Sequence, residues 1–267
     1  MRIVPFRAGA RRSPSWAWIS TSWHTATVLD AAIELLPSTR RPIASRTRLR
    51  VHLGTAEVLA RVAQTPTIVP GERGLTRLTL EVPLVARGGD RFVLRSFSPV
   101  TTIGGGVVLD PFPPPRSRLR RRGIDAGQTL PARLSAFVVE TGLTGISTET
   151  LAVRLGAPPG HVTAVIAEAG RDLLSSGGTV VQRKALTTEV TRLADVLRRH
   201  HEEHPLDPGM SLQALRAAVG APTSPVVIDA VLQEGTRTGG AFEVAGSVAR
   251  LSGWRPAFDA RATDVQQ

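Results

Sequence analysis

The second half of the chain contains an internal repeat whose two copies begin 64 residues apart. Each copy has an apolar residue before a serine, then a leucine, a Gly-Ala-Pro segment and a valine, at Ile146-Ser147, Leu151, Gly156-Ala-Pro158 and Val162 and again at Met210-Ser211, Leu215, Gly220-Ala-Pro222 and Val226. Serine at this place suits a helix N-cap, and glycine two residues before proline suits a left-handed helix end. Each copy therefore predicts a short helix, a turn and a second helix.

The segments around each copy extend this pattern to a winged-helix plan. Helical periodicity precedes the copies at 131–141 and 187–203, the second helices are predicted at 159–170 and 223–235, and the glycine pairs Gly177-Gly178 and Gly239-Gly240 each lead into a short strand. We therefore predict winged-helix domains at 130–186 and 187–255, a plan that can place a helix in a nucleic-acid groove. Because neither second helix contains Arg or Lys, a structural or protein-binding role stays open.

Residues 24–112 follow a different period, which is typical of β-strands. Leu49, Val51 and Leu53 alternate with Arg48, Arg50 and His52. This alternation predicts a half-buried strand with a basic outer face. Further alternating segments and glycine turns indicate a small antiparallel barrel or sandwich. The run Gly104-Gly-Gly106 fits a close backbone approach or a bulge at a barrel corner.

The charge is distributed unevenly along the chain. Residues 1–128 carry 20 arginines and 8 acidic residues, whereas 129–267 carry 13 basic and 14 acidic residues, which together give the net charge of +11. A basic first half attracts polyanions, although an arginine-rich solvated surface would give the same count. The absence of cysteine excludes disulfides and thiolate metal sites. Residues 1–23 are unassigned and expected to be disordered, 113–129 are a Pro/Arg-rich linker, and 256–267 are a tail.

The β segments also carry a resemblance to a known family. Residues 46–62 and 84–110 resemble the third domain of the bacterial selenocysteine-specific translation elongation factor, most specifically in Gly54-Thr-Ala-Glu57 and in Arg95-Ser-Phe-Ser-Pro-Val-Thr-Thr-Ile-Gly-Gly-Gly106. Residues 200–210 resemble that family's connection into its second winged helix. The resemblance covers about 26–255 and implies a translation-factor-type β-barrel followed by two tandem winged helices.

The resemblance also implies a function. Full-length members deliver selenocysteinyl-tRNA to the ribosome at recoded UGA codons in a GTP-dependent manner, and the barrel helps to hold the tRNA. Four winged helices follow in the family, and the last binds the selenocysteine-insertion hairpin of the messenger RNA. This chain would supply the tRNA-contacting barrel and two spacer winged helices, as a truncated, C-terminal part of such a factor. The implied localisation is cytoplasmic, with no membrane partner.

The chain departs from the family at the nucleotide site. No Gly-x4-Gly-Lys-Ser/Thr motif is present, and Lys184 is the single lysine. We therefore expect no catalytic residues and no cofactor in this chain, because GTP and Mg belong to the family's separate GTPase domain. His200 and His204 stand four residues apart, as two metal-binding histidines on a helix would. A zinc-binding His-Glu-x-x-His motif would begin at His201-Glu202, but its second histidine position is occupied by Pro205. We expect no metal site there.

A tRNA-facing surface is predicted on the barrel. Its candidate residues combine the basic outer face with the loop before the triple glycine: Arg46, Arg48, Arg50, His52, Arg95, Ser98, Thr101 and Thr102. Arginine contacts to phosphate position an RNA without reading its sequence. The alternative is a stand-alone winged-helix DNA-binding regulator with a β domain, which the arginine-free second helices disfavour.

Overall fold

The structure, a computed structural model, describes residues 25–63, 66–115, 124–125, 127–220, 223–237 and 239–256. The unassigned segment 1–23, the arginines of the linker at 116–123 and the tail beyond 256 lie outside these ranges. The chain divides into two compact units. The first combines residues up to 128 with Glu149–Thr163, and the second combines Thr129–Thr148 with the residues from Ala164 onward.

The first unit contains a closed antiparallel barrel of six strands in the order β1-β4-β3-β2-β5-β6. The strands are β1 (Thr25–Leu35), β2 (Arg48–Leu53), β3 (Ala56–Val62), β4 (Arg73–Val85), β5 (Arg91–Ser96) and β6 (Thr102–Asp110). Strand β1 pairs with both β4 and β6 and so closes the sheet. The inward residues, including Leu29, Ile33, Leu49, Leu78 and Leu94, form the barrel core. The predicted antiparallel barrel is confirmed, and closure excludes the sandwich.

The triple glycine of β6 lies where neighbouring strands approach too closely for side chains. A Cβ on Gly105 would lie 2.7 Å from the Phe92 carbonyl oxygen, and one on Gly104 or Gly106 would overlap a carbonyl oxygen of β1. The β5–β6 register also shifts next to this segment, between Leu94 and Arg95. Both predicted reasons for the glycines, close backbone approach and an irregular register, are confirmed.

Two buried carboxylates lie opposite each other where β1 meets β6. Asp30 and Asp110 are register partners, and both are fully buried. Arg77 donates to both carboxylate oxygens of Asp30 at 2.7 and 3.0 Å. Arg154 donates to both oxygens of Asp110 at 3.0 and 2.6 Å. Because buried charges are tolerated only when they are paired, each arginine makes its aspartate compatible with the barrel interior.

Arg154 comes from helix α2 (Thr148–Leu155), and that helix ends against the β4–β5 turn. The N–H of Gly88 donates to the Val153 carbonyl at 3.0 Å. Gly156 has a φ of +67°, as its predicted place at the helix end requires. A Cβ there would overlap the Gly88 carbonyl. Two glycines thus let the backbones meet, and α2 belongs to the barrel unit.

Together with α2, which follows β7, the remaining elements repeat one order twice and form two three-stranded sheets, β7-β9-β8 and β10-β12-β11. They are α1 (Leu130–Thr141), a 3-10 turn, β7 (Ile146–Ser147), α3 (Pro159–Ala169), β8 (Leu173–Ser176) and β9 (Thr179–Gln182), then α4 (Arg183–Glu203), β10 (Met210–Ser211), α5 (Leu212–Ala218), α6 (Pro225–Thr236), β11 (Phe242–Ala245) and β12 (Val248–Leu251). Helix, short strand, two helices and a β-ribbon recur in order. The winged-helix prediction is therefore confirmed.

No linker separates the first sheet from the second winged helix. Helix α4 begins at the residue after β9. Val181 of β9 is buried in one core with Leu193, Leu215 and Phe242. Such a continuous core resists bending at the junction.

The two copies of the repeat differ in their glycines. Gly220 does not adopt the predicted left-handed conformation, and its N–H instead donates to Glu189 Oε1 at 2.9 Å. The pair Gly177-Gly178 lies in the β8–β9 turn. Both glycine pairs lead into a short strand as predicted, Gly177-Gly178 into β9 and Gly239-Gly240 into β11, while the β11–β12 turn of the second copy contains Gly246 instead. The predicted N-cap at Ser211 is confirmed by a 3.1 Å bond from Ala214 N.

His201 fastens the end of α4 to the second β-ribbon. Its side chain is buried, and Nε2 accepts a hydrogen bond from Leu251 N–H at 3.2 Å. Its ring stacks on Trp254 with centroids 3.8 Å apart. Accepting this bond requires an unprotonated Nε2. Burial, helped by the neighbouring His200, lowers the pKa of His201. His201 therefore has a structural role, since it joins the end of α4 to the second β-ribbon.

Replacing Arg154 by Met should destabilise the first unit by about 3–5 kcal/mol, because Asp110 loses its bidentate buried partner. The shift in urea midpoint, followed by circular dichroism, measures this. Arg73→Ala, which breaks the exposed pair with Glu34, should cost no more than about 1 kcal/mol. Adding Asp110→Asn to Arg154→Met should recover part of the loss. Equal losses for Arg154→Met and Arg73→Ala would contradict the burial argument.

The free energy of unfolding should fall as the pH drops below about 6.5, the ordinary histidine pKa. His201 has a lowered pKa in the folded state, so the unfolded chain binds its proton more readily and acid favours unfolding. His201→Gln should flatten this dependence between pH 7 and 5. His161→Gln, at an exposed position, should leave it unchanged. Urea midpoints at each pH measure the effect, and parallel curves for wild type and His201→Gln would refute it.

Candidate nucleic-acid interface

The outer surface of strands β2, β3, β4 and β5 carries a cluster of charged residues. The alternation that buries Leu49 and Val51 turns the intervening side chains outward, as predicted. We call this surface the arginine face, and its residues are Arg48, Arg50 and His52 of β2, Glu57 and Arg61 of β3, Glu81 of β4, Arg91 and Arg95 of β5, and Phe97 just beyond β5. Five arginines stand against two glutamates, so the surface is cationic.

Arg48 is the most constrained arginine of this face. Its Nε donates to Glu81 Oε1 at 2.8 Å and its Nη2 to Glu81 Oε2 at 2.7 Å. Its guanidinium lies over the Phe97 ring, 4.5 Å from the centroid. The two contacts fix the guanidinium in one orientation. The hydrogen bond from Arg48 lowers the pKa of Glu81, so this carboxylate is ionised at neutral pH.

Arg50 repeats this arrangement with a second glutamate. It donates to Glu57 through Nη1 and lies 5.8 Å from the Phe97 centroid. His52 Nε2 lies 3.7 Å from Glu57 Oε2. The hydrogen bond from Arg50, with smaller contributions from His52 and Arg95, lowers the pKa of Glu57. Each glutamate therefore faces an arginine-rich environment.

The loop between β5 and β6 borders the arginine face. Ser96 Oγ accepts a hydrogen bond from Thr101 N at 3.1 Å and lies 2.9 Å from Thr101 Oγ1. These bonds close the loop and hold Phe97 and Val100 outward, 40% and 51% exposed. Exposed aromatic side chains beside cations are typical of surfaces that bind nucleic acid.

The structure brings most of the predicted tRNA-facing residues together. Arg48, Arg50, His52 and Arg95 lie on adjacent strands, and Thr102 is the register partner of Arg95. Ser98 and Thr101 lie in the adjoining loop. Arg46 lies in the turn before β2 with a φ of 67°, and its side chain is exposed. Whether these residues contact RNA stays a prediction.

Sequence reasoning missed several members of the face. Alternation along β3 and β5 could have added Arg61 and Arg91, because both follow the period of two. Phe97 carried no such signal. The same alternation places Glu57 and Glu81 on the outer face, but it does not indicate which arginine each glutamate contacts. Glu81 meets Arg48 only because β4 and β2 flank β3, and that order is not visible in the sequence.

The winged helices offer no comparable cationic surface in the part of the chain that the structure describes. Helices α3 and α6 contain no Arg or Lys. Arg183, Arg192 and Arg250 are each paired with a glutamate. Within the same described ranges, no group of three or more His, Asp or Glu residues could hold a metal ion. No helix there combines the length and apolarity needed to cross a membrane.

Comparison with known proteins matches two parts of the chain to one family. Residues 30–115 match "Selenocysteine-specific elongation factor, beta-barrel domain", and residues 194–239 match "Elongation factor SelB, winged helix". A curated relative, the selenocysteine-specific elongation factor of Desulfomicrobium baculatum, is 34% identical over 86 residues, which are 32% of this chain and 14% of that protein.

A solved structure agrees with these matches at the level of the fold. A crystal structure of the bacterial selenocysteine-specific elongation factor EF-Sec aligns with a TM-score of 0.57 and 14% identity, over 86% of this chain and 35% of that one. The chain therefore spans about a third or less of the length of these relatives. The matches do not favour the DNA-binding regulator.

Replacing Arg48 by Ala should raise the pKa of Glu81 towards its ordinary value, because the hydrogen bond that stabilises the carboxylate is lost. Glu57 is the internal control, since Arg48 makes no contribution to the lowering of its pKa. NMR titration of the glutamate side-chain carbons measures both. An unchanged titration of Glu81 would show that Arg48 does not hold it in solution.

Proposed function

We propose that this chain, whose residues 30–115 and 194–239 match models of the selenocysteine-specific elongation factor family, is the tRNA-contacting part of such a factor. In the complete factor it would help to deliver selenocysteinyl-tRNA to the ribosome at recoded UGA codons, in the cytoplasm and in a GTP-dependent manner. The arginine face is the single observation that carries the proposal for this chain.

The chemistry of the face fits an RNA backbone. Arginine forms bidentate hydrogen bonds with phosphate oxygens, and its charge releases counterions from the RNA. In the described residues, Arg91 and Arg95 have no carboxylate within salt-bridge distance, so their charges face solvent. Contacts of this kind hold an RNA helix in place without reading its base sequence. Recognition of the aminoacyl group would lie elsewhere in the complete factor.

The winged helices are proposed as a spacer in this assembly. Helix α4 shares one core with the preceding sheet, and the second helices lack the cations that a groove reader needs. A stiff, weakly charged segment suits the separation of two binding regions better than it suits binding. The messenger hairpin would be bound only by the further winged helices that full-length members of the family contain.

Nucleotide chemistry is assigned to another part of the complete factor. The 267 residues contain no phosphate-binding Gly-x4-Gly-Lys-Ser/Thr motif. We therefore propose that these residues bind neither GTP nor Mg themselves, and that they contribute affinity for tRNA rather than turnover.

The double variant Arg48→Ala/Arg50→Ala should bind selenocysteinyl-tRNA about tenfold or more weakly than wild type in 100 mM salt. Its plot of log affinity against log salt should be shallower by about 2, near 0.9 for each lost phosphate contact. Filter binding or fluorescence anisotropy measures both. Arg198→Ala/Arg199→Ala removes the same charge from α4 and should change neither quantity.

Two further RNAs test the assignment to tRNA. A selenocysteine-insertion hairpin and its scrambled version should bind the full chain weakly and equally. If the arginine variants bind tRNA like wild type, the proposed surface is wrong. Tight and hairpin-specific binding would instead identify the winged helices as a messenger reader.

A further inference from the structure

We propose that Glu57 and Glu81 act as internal counter-ions that occupy Arg50 and Arg48 in the free protein and that an RNA backbone must displace. This inference rests on the proposed function of the arginine face. It assigns the two glutamates a role in setting the affinity and selectivity of that face for polyanions, beyond the arginines that contact the ligand.

The geometry of the Arg48–Glu81 pair resembles the contact that a phosphate would make. Both carboxylate oxygens accept from one guanidinium, at 2.8 and 2.7 Å, as two phosphate oxygens do in a bidentate contact. A guanidinium edge that is engaged this way cannot bind a phosphate at the same time. RNA contact through this edge therefore requires the glutamate to leave.

The exposure of these pairs makes the exchange feasible. The side chains of Arg48 and Glu81 are 35% and 32% exposed, and those of Arg50 and Glu57 are 30% and 45% exposed. Water and salt screen such surface pairs, so they are weak. The Asp110–Arg154 pair, which is 0% and 5% exposed, has no path to a ligand. The arginine–carboxylate pair is thus permanent inside the barrel, whereas on the surface a ligand can replace the carboxylate.

Phe97 keeps the arginines ready for the exchange. Its ring lies under the Arg48 guanidinium at 4.5 Å and near that of Arg50 at 5.8 Å. This contact does not involve the glutamates, so it persists when a carboxylate swings away. An arginine that is already oriented loses less conformational entropy when it binds phosphate.

The glutamates should also make the face selective. Each carboxylate repels any polyanion until a phosphate replaces it at the arginine. A flexible or badly matched strand gains less from the exchange than a rigid helix that presents several phosphates together. Removing the glutamates should therefore strengthen all RNA binding, and should strengthen unspecific binding most.

The test compares the full chain with its Glu57→Gln/Glu81→Gln variant against selenocysteinyl-tRNA and against poly(U). We expect the affinity for tRNA to rise on the order of tenfold, and the salt dependence to steepen by up to about 1 for each glutamate removed. The affinity for poly(U) should rise more than that for tRNA. Glu34→Gln is the control for the removal of one carboxylate, because it frees Arg73 from an exposed ion pair on β1 and β4, and it should leave both affinities unchanged.

A second variant separates the exchange from a loss of folding. Glu81→Asp keeps the charge but shortens the side chain, so its carboxylate no longer reaches both guanidinium nitrogens of Arg48. It should give an intermediate gain in affinity for tRNA with an unchanged circular dichroism spectrum.

The outcomes distinguish this inference from the proposed function. Unchanged or weaker RNA binding by the glutamine and aspartate variants, while Arg48→Ala/Arg50→Ala still loses affinity, overturns the exchange and leaves the surface assignment in place. A gain in log affinity for Glu34→Gln that is half or more of the gain for the double variant also overturns it, since the control removes one carboxylate and the double variant two, and the effect is then one of net charge. If Arg48→Ala/Arg50→Ala binds as wild type does, the proposed function itself fails.

Discussion

The barrel depends on the pairing of two buried aspartates in its interior with arginines. Asp30 and Asp110 lie opposite each other on β1 and β6, where two unpaired carboxylates would repel and would lack water. Arg77 and Arg154 each pair with one of these carboxylates, and they come from different parts of the chain. Arg77 comes from the next strand and also donates to the Pro114 carbonyl at 3.1 Å, which fixes the chain after β6. Arg154 comes from α2, so the neutralisation of Asp110 makes that helix part of the barrel unit.

Burial decides what an arginine–carboxylate pair does in this protein. The two interior pairs are bidentate and both of their carboxylates are fully buried, so removing an arginine leaves a buried charge without its partner. The pairs of Arg48 and Arg50 use the same groups on the outer face, where water and phosphate compete for the guanidinium. Interior pairs therefore fix the fold, while surface pairs leave the arginines available to a ligand. A single barrel uses one interaction for both purposes because its strands alternate between these two environments.

The sequence predicted features that depend on neighbours along the chain. The alternation of Leu49 and Val51 with arginines gave the strand and its basic face, and the serine–glycine spacing gave the winged helices. Prediction from the sequence failed where residues distant along the chain determine a conformation or a contact. Gly220 occupies the same repeat position as Gly156, yet it bonds to Glu189 of α4 instead of ending a helix with positive φ. The Glu81–Arg48 and Asp110–Arg154 pairs join residues 33 and 44 positions apart, and no local pattern announces them.

The stiffness of the junction between the winged helices also depends on contacts between residues that are distant along the chain. Helix α4 begins directly after β9 and covers apolar residues of both copies of the repeat. Arg183 at its start donates to Glu234 of α6 at 2.9 Å, which ties the first turn of α4 to the second copy. Bending at this point would expose Val181 and separate a half-buried ion pair. Stiffness here therefore comes from packing across the junction, and it requires no cationic residues on the second helices.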